Sequence, residues 1–320
     1  MVNASEQVNK QRRNLWLVSQ ESLLVYITLI FFLIFSVVAK GFFTLENILT
    51  ILRSMSIITV LGIGISFVIT AGEIDLSISA VPALSGAVLA ILLEKGFNII
   101  LALLAAIVIA IICGLVNGII VANTGLPSII VTLATSMIAS GITYIVTKQA
   151  PIVITNQGFL NIFGGNIFGF PVMVLWMLLA SIIGYILLHK TKIGRNIAFI
   201  GENKVASYYA GIKVDIVLVS AFVVCALYSW LGGMLGVAQA SNAAPWMLSN
   251  DMMTAIAATI IGGTSFTGGK GNIGGTIIGA FFLTMLSNGF LIFGIEQWVL
   301  YLVNGTVILI ALTAQYLRRK

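Results

Sequence analysis

Two carboxylates, Glu73 and Asp75, interrupt the otherwise apolar stretch ISFVITAGEIDLSISAVPALSGAVLA (65–90). An ionised side chain at the centre of a bilayer costs about 3 kcal/mol on insertion scales, so each carboxylate must reach the water interface or border a hydrated path. Ser77 and Ser79 carry the polarity onward, and Pro82 removes a backbone N–H and is expected to kink the helix it sits in. Two readings stand side by side. In one, Glu73, Asp75 and Ser77, with the intramembrane amide Asn117, offer hydrogen bonds to a polar solute passing through, or a carboxylate carries a coupling proton. In the other, Glu73 and Asp75 form a cytoplasmic turn between two spans. The amides Asn117, Asn288 and Asn304 also suit hydrogen bonds between neighbouring helices, the commoner use of such residues.

Other chemistries fail on residue type. The run GGTSFTGGKGNIGG (262–275) holds Gly269, Gly271 and Gly274 at dinucleotide-fingerprint spacing, but no strand or soluble βαβ unit frames it. It is not a phosphate loop either, because Thr264 stands where the first glycine belongs and Gly271 follows Lys270. Gly262, Gly263, Gly268 and Gly269 instead let backbones approach closely and bend. The four-residue spacings Gly114/Gly118, Gly232/Gly236 and Gly275/Gly279 suit tight helix crossings. His189 is the only histidine, at a helix end beside Lys190, and no second histidine completes a nucleophilic or metal-binding set. Cys113 and Cys225 lie far apart in apolar spans, as small hydrophobes do. The sequence thus offers no catalytic residue and no metal site.

A third informative segment is KTKIGRNIAFIGENKVASYYAGIKVDI (190–216). Glu202 and Asn203 can open a short helix and Gly211 can end it, while Val205, Ala206, Tyr208 and Tyr209 give it a contact surface. Such a helix suits docking into a partner's groove, or lying on lipid headgroups with its lysines against anionic lipid.

The elements that position these residues follow from composition. Residues are 59% hydrophobic and 8% charged, against about a quarter charged in soluble domains. Apolar runs predict ten spans, at 22–39, 55–71, 76–93, 98–121, 128–147, 171–189, 215–239, 251–264, 273–294 and 298–316. Most suit a hydrocarbon core about 30 Å thick, but 251–264 is short and is expected to stop inside it. All must be helices, because the alternation of a barrel is missing and open strands cannot satisfy their backbone groups in lipid. The fold class is therefore all-α and membrane-integral, with tail 1–21, one transmembrane domain 22–316 carrying the cytoplasmic segment 190–214, and tail 317–320. No removable signal peptide is expected in the polar, basic first 20 residues. Placing both termini in the cytoplasm puts twelve Lys and Arg inside against four outside, and the reverse orientation inverts that bias. The net charge of +6 is explained by this topology and asks for no nucleic-acid partner.

Three segments together resemble the ribose-type permeases of ABC importers, over residues 41 to 316. They are GFFTLENILTILR (41–53), AGEIDLSISA (71–80), and the pair GENKVASYYAGI (201–212) and AATIIGGTSFTGGKGNIGGTIIGA (257–280). The resemblance implies a homodimeric, ten-helix permease of the bacterial inner membrane that carries a monosaccharide or small polyol. It further implies an ATPase partner with two nucleotide-binding domains, so that ATP binds the partner and this chain needs no cofactor, and an extracytoplasmic sugar-binding protein. The family's coupling helix falls on 202–212. Glu73 stands where the family usually has a second glycine, and Tyr208 where a basic residue is common. The rival from another class is an ion-coupled secondary transporter using Glu73 or Asp75.

Overall fold

The computed structural model describes residues 20–296 together with 298, 299, 301–303, 305, 306, 309 and 313. The tail 1–19, most of the expected span 298–316, and Asn304 lie outside the described residues. Helices form where apolar side chains run without a break and end where the backbone is turned. In order they are α1 (Gln20–Val38), α2 (Leu45–Thr70), α3 (Ala80–Glu94), α4 (Ile99–Thr124), α5 (Ser128–Thr147), α6 (Gln157–Gly164), α7 (Val172–Lys190), α8 (Lys192–Glu202), α9 (Lys204–Tyr209), α10 (Val214–Ala240), α11 (Asp251–Ile261) and α12 (Ile273–Ile292). Six of them, α2, α4, α5, α7, α10 and α12, are long and apolar enough to cross a membrane, and α1, α3 and α11 are shorter apolar helices. The chain is an all-α integral membrane protein.

Burial sorts these helices. In α2, 67% of the most apolar window is buried, whereas in α4 and α5 it is 22%, so α2 is the central post and the outer faces of α4 and α5 meet lipid. Helix α10 packs along both α2 and α4, and α11 with α12 closes the other side of α2. Close crossing of α4 and α10 depends on Gly118, where an added Cβ would stand 2.7 Å from the Val219 Cα. The amides of Asn47 and Asn288 exchange two hydrogen bonds of 3.0 Å, joining α2 to α12.

Four features differ from the sequence reading. Helix α2 starts ten residues before the expected span, because the Thr44 hydroxyl caps it by accepting from the Asn47 N–H and Glu46 favours the first turn. The span expected at 76–93 becomes helical only at Ala80, leaving 15 helical residues, about 22 Å, too short to cross alone. Pro82 does not kink it: it lies in the first turn of α3, where its missing N–H has no intrahelical partner to lose. Sheet is not wholly absent, since strands of two residues each pair in the loops, β1 (Ile152–Val153) with β4 (Asn242–Ala243) and β2 (Asn166–Ile167) with β3 (Phe170–Pro171). The loop 148–170 is thereby tied to the end of α10. Helix α11 has 11 residues, about 16 Å, consistent with a helix that stops within the bilayer.

Candidate functional site

The chemistry-bearing residues gather at one end of the molecule, where α2 stops, α8 and α9 begin and end, and the glycine run turns. Helix α2 breaks at Gly72, whose φ of +80° is left-handed and favours glycine. The chain then re-enters the molecule without regular structure over 73–75 and through a bend and turn over 76–79 before α3 starts. Its backbone groups cannot be left bare in an apolar surround. Hydroxyls of α5 take them instead: Ile74 N–H donates to Ser128 Oγ and Leu76 N–H to Thr132 Oγ1, each at 3.0 Å. Ser128 and Thr132 sit one helical turn apart on one face of α5, and that spacing is the signal by which the sequence could have revealed them.

Within this stretch the two carboxylates part company. Asp75 is 2% exposed. Its Oδ1 accepts from the Ser77 N–H at 2.8 Å and from the Ser77 hydroxyl at 2.6 Å, a local turn that a short carboxylate makes readily. Asn117, fully buried on α4, donates through Nδ2 to Ser77 Oγ at 2.9 Å, and its Oδ1 has no partner among the described residues. The Cys225 thiol of α10 adjoins the same carboxylate. Three of the four residues considered for a path, Asp75, Ser77 and Asn117, thus form one hydrogen-bonded cluster between α3, α4 and α10.

Glu73 faces the other way. It pairs with Lys204, the first residue of α9, across 131 positions of sequence, and Lys204 itself is half exposed. Lys204 is one of the twelve basic residues that the charge bias places inside, and nothing local in the sequence marks it as the partner of Glu73. The segment 190–214 is two helices rather than one. Glu202 closes α8, and Asn203 opens α9 by accepting from the Ala206 N–H at 2.9 Å. Gly211, at φ +82°, turns the chain out. Val205, Ala206, Tyr208 and Tyr209 are all exposed, Tyr209 at 82%.

Backbone lies directly on backbone where these parts meet. The Gly269 N–H donates to the last carbonyl of α2, Thr70 O, at 2.9 Å. An added Cβ on Gly201 would collide with that same carbonyl, and one on Gly268 would lie 2.6 Å from Gly201 O and 2.9 Å from Gly72 Cα. Gly268 and Gly269 therefore belong to this junction. Gly262 lies one step away, against the backbone of Gly275, with Asn272 Nδ2 donating to its carbonyl at 2.9 Å, and Gly263 follows it at φ +97°. A buried carboxylate cluster, an ion pair and a glycine-only contact thus connect an exposed helix to the broken span. Such an arrangement holds a polar group inside the fold and ties an exposed helix to the broken span.

Comparison with known proteins gives this arrangement a family. Residues 47–312 match the family described as "Branched-chain amino acid transport system / permease component". The chain is 35% identical to the ribose import permease protein RbsC of Escherichia coli over 92% of its own length and 93% of that protein. It is 36% identical to the ribose import permease protein RbsC of Bacillus subtilis over 87% of each, and 33% identical to the D-allose transport system permease protein AlsC of Escherichia coli over 87% and 86%. No solved structure matches it. A match over residues 47–312, the range that holds the re-entrant stretch, the α8–α9 segment and the glycine run, places this protein in the permease family that contains the ribose import permeases.

Proposed function

We propose that this chain is the membrane-spanning subunit of an ATP-driven importer of monosaccharides in the bacterial inner membrane. The observation that carries the reading is the 33–35% identity, over nearly the full length, to permeases named for ribose and allose, joined to an exposed helix, α9, that is tied to the broken span by an ion pair. The chain carries no nucleotide-binding motif in its glycine run, so ATP is hydrolysed by a partner ATPase with two nucleotide-binding domains. Ten spans with both termini cytoplasmic are supported by the lysine and arginine bias, which puts the α8–α9 end in the cytoplasm. Two copies of the chain form the path, and a separate binding protein delivers solute to the opposite face.

In this account Val205, Ala206, Tyr208 and Tyr209 seat in a groove of the ATPase, with Glu202, Asn203 and Gly211 shaping the helix that presents them. When the ATPase closes, α9 moves, and Glu73 and the Thr70–Gly201–Gly269 contact carry the displacement into α2 and the re-entrant stretch. Gly262, Gly263, Gly268 and Gly269 allow the turn between α11 and α12 to follow. Asp75, Ser77 and Asn117 hold the polar inner gate closed by hydrogen bonding to one another, and exchange those bonds for solute hydroxyls when it opens.

The test is uptake into liposomes holding this chain, its ATPase and its binding protein, with ion gradients collapsed. Accumulation of radiolabelled ribose or allose that requires ATP supports the reading. Uptake indifferent to ATP and abolished with the proton gradient overturns it, and makes Glu73 or Asp75 a proton carrier instead.

A further inference from the structure

At the end of the molecule opposite α9, a cavity of about 570 Å³ opens between α2, α10, α11 and α12. That volume is in the range of small-molecule sites, about 300–1,000 Å³. It is not superficial. Ile57 and Ile58 line it, roughly 18 Å along α2 from Leu45, so its floor lies within the span rather than at its mouth. Polar groups nevertheless border it: Ser54, Gln239, Asp251, Thr254, Thr284 and Ser287.

Two of these have no structural employment. Asp251 opens α11 and is half-buried, yet among the described residues its carboxylate makes no ion pair and no hydrogen bond. The N-terminal end of α11 tolerates its negative charge, which explains why it survives there but not what it is for. Thr284, more than nine-tenths buried, has a hydroxyl with no protein partner. Buried polar groups without partners are rare in folded proteins, and a carboxylate and an unpartnered hydroxyl bordering one cavity point to a ligand.

The lining also selects a chemical class. No lysine or arginine borders the cavity among the described residues, so nothing there would neutralise the carboxylate of a free amino acid or a sugar phosphate. A neutral polyol needs no such partner. Its hydroxyls donate to a carboxylate and exchange hydrogen bonds with an amide and with serine and threonine hydroxyls, and its C–H faces lie against an aromatic ring such as Tyr301 at the rim.

We propose that this cavity is the entry subsite for a neutral monosaccharide leaving the binding protein, with Asp251 and Gln239 as its principal hydrogen-bonding groups. The inference rests on the importer reading above. It places solute first at the open end, some distance from the Asp75 cluster that gates the other end.

The experiment uses the reconstituted complete transporter, with ribose, arabinose, allose and leucine as radiolabelled probes. Asp251→Ala is expected to lower sugar uptake about tenfold, the effect of losing a charged hydrogen bond, with Asp251→Asn in between. A second readout uses Ser54→Cys in the otherwise unsubstituted protein: a membrane-impermeant maleimide added from the binding-protein side should label it, and saturating sugar should slow the labelling while leucine does not. Unchanged uptake in Asp251→Ala, or labelling indifferent to sugar, overturns the subsite while ATP-driven uptake by the unsubstituted complex leaves the importer reading standing. Protection by leucine in place of sugar overturns the polyol class. An unsubstituted complex that takes up none of the probes with ATP overturns the importer reading and the subsite with it.

Discussion

The two ends of this molecule solve opposite problems. At the α8–α9 end, nearly all polar groups are consumed: hydroxyls of α5 take the N–H groups of 74 and 76, Ser77 serves Asp75 and Asn117 in turn serves Ser77, leaving only the Asn117 Oδ1 over in that cluster, Lys204 pairs with Glu73, and glycines let three backbone segments touch. At the cavity end, the carboxylate of Asp251 and the hydroxyl of Thr284 are left over. The first pattern is what a junction needs if a push on an exposed helix is to reach the core without being lost in slack. The second is what a site needs if it must accept hydroxyls arriving from water. The difference is one of spending: the junction uses nearly all its polar groups on one another, whereas the cavity keeps a carboxylate and a hydroxyl without protein partners among the described residues.

Substitutions can break that contrast, and the largest effect is expected at the glycine contact. Gly201→Val puts a side chain into the Thr70 carbonyl, where only backbone could yield; forced overpacking of this kind costs about 1–3 kcal/mol and often more. The expected outcome is a sharply lower melting temperature of the purified protein and loss of uptake, and a normally stable Gly201→Val protein would refute the close contact. Asp75→Ala comes next. It strands the Ser77 donors in a buried site at a cost of about 1–3 kcal/mol, and Asp75→Asn, which keeps an acceptor, should cost less. Normal membrane levels with unchanged uptake in Asp75→Ala would remove Asp75 from the gate.

Smaller still is the stability effect of Glu73→Gln. Lys204 is half exposed, so the pair is screened and contributes under about 1 kcal/mol, and thermal unfolding should shift little even where transport suffers. Smallest is Tyr209→Ala. This side chain is exposed and touches solvent, so unfolding should change by no more than about 0.5 kcal/mol. Retention of the ATPase during copurification should fall all the same, and that separation of stability from assembly sharpens the view of α9 as a docking element. Full retention in a Tyr208→Ala, Tyr209→Ala double variant would move the docking surface elsewhere.

How much of this could be read from the chain depends on how local the determining forces are. Hydropathy located the nine described apolar helices, because lipid imposes its length on each span separately. The ends were harder. Asn47 and Arg53 look like loop residues, yet Asn47 is capped by Thr44 and paired with Asn288, and Arg53 reaches Asn166, so α2 runs through them. Glu73 and Asp75 were conspicuous as a pair, but their different employment was hidden, because it depends on Lys204, Asn117 and the hydroxyls of Ser128 and Thr132 in distant segments. Asp251 drew no notice. At the start of an apolar run an aspartate has an ordinary use at a helix N-terminus, and only the fold shows that it borders a cavity and has no side-chain partner among the described residues.

The claim that the Glu73–Lys204 contact carries ATPase movement into the membrane is tested most directly by the number of sugar molecules accumulated per ATP hydrolysed in the reconstituted complex. Glu73→Lys and Lys204→Glu should each lower that ratio severalfold while the ATPase stays bound, and the double exchange should restore most of it. Single variants that transport as many sugars per ATP as the unsubstituted complex, or a double exchange that recovers nothing, would contradict the account.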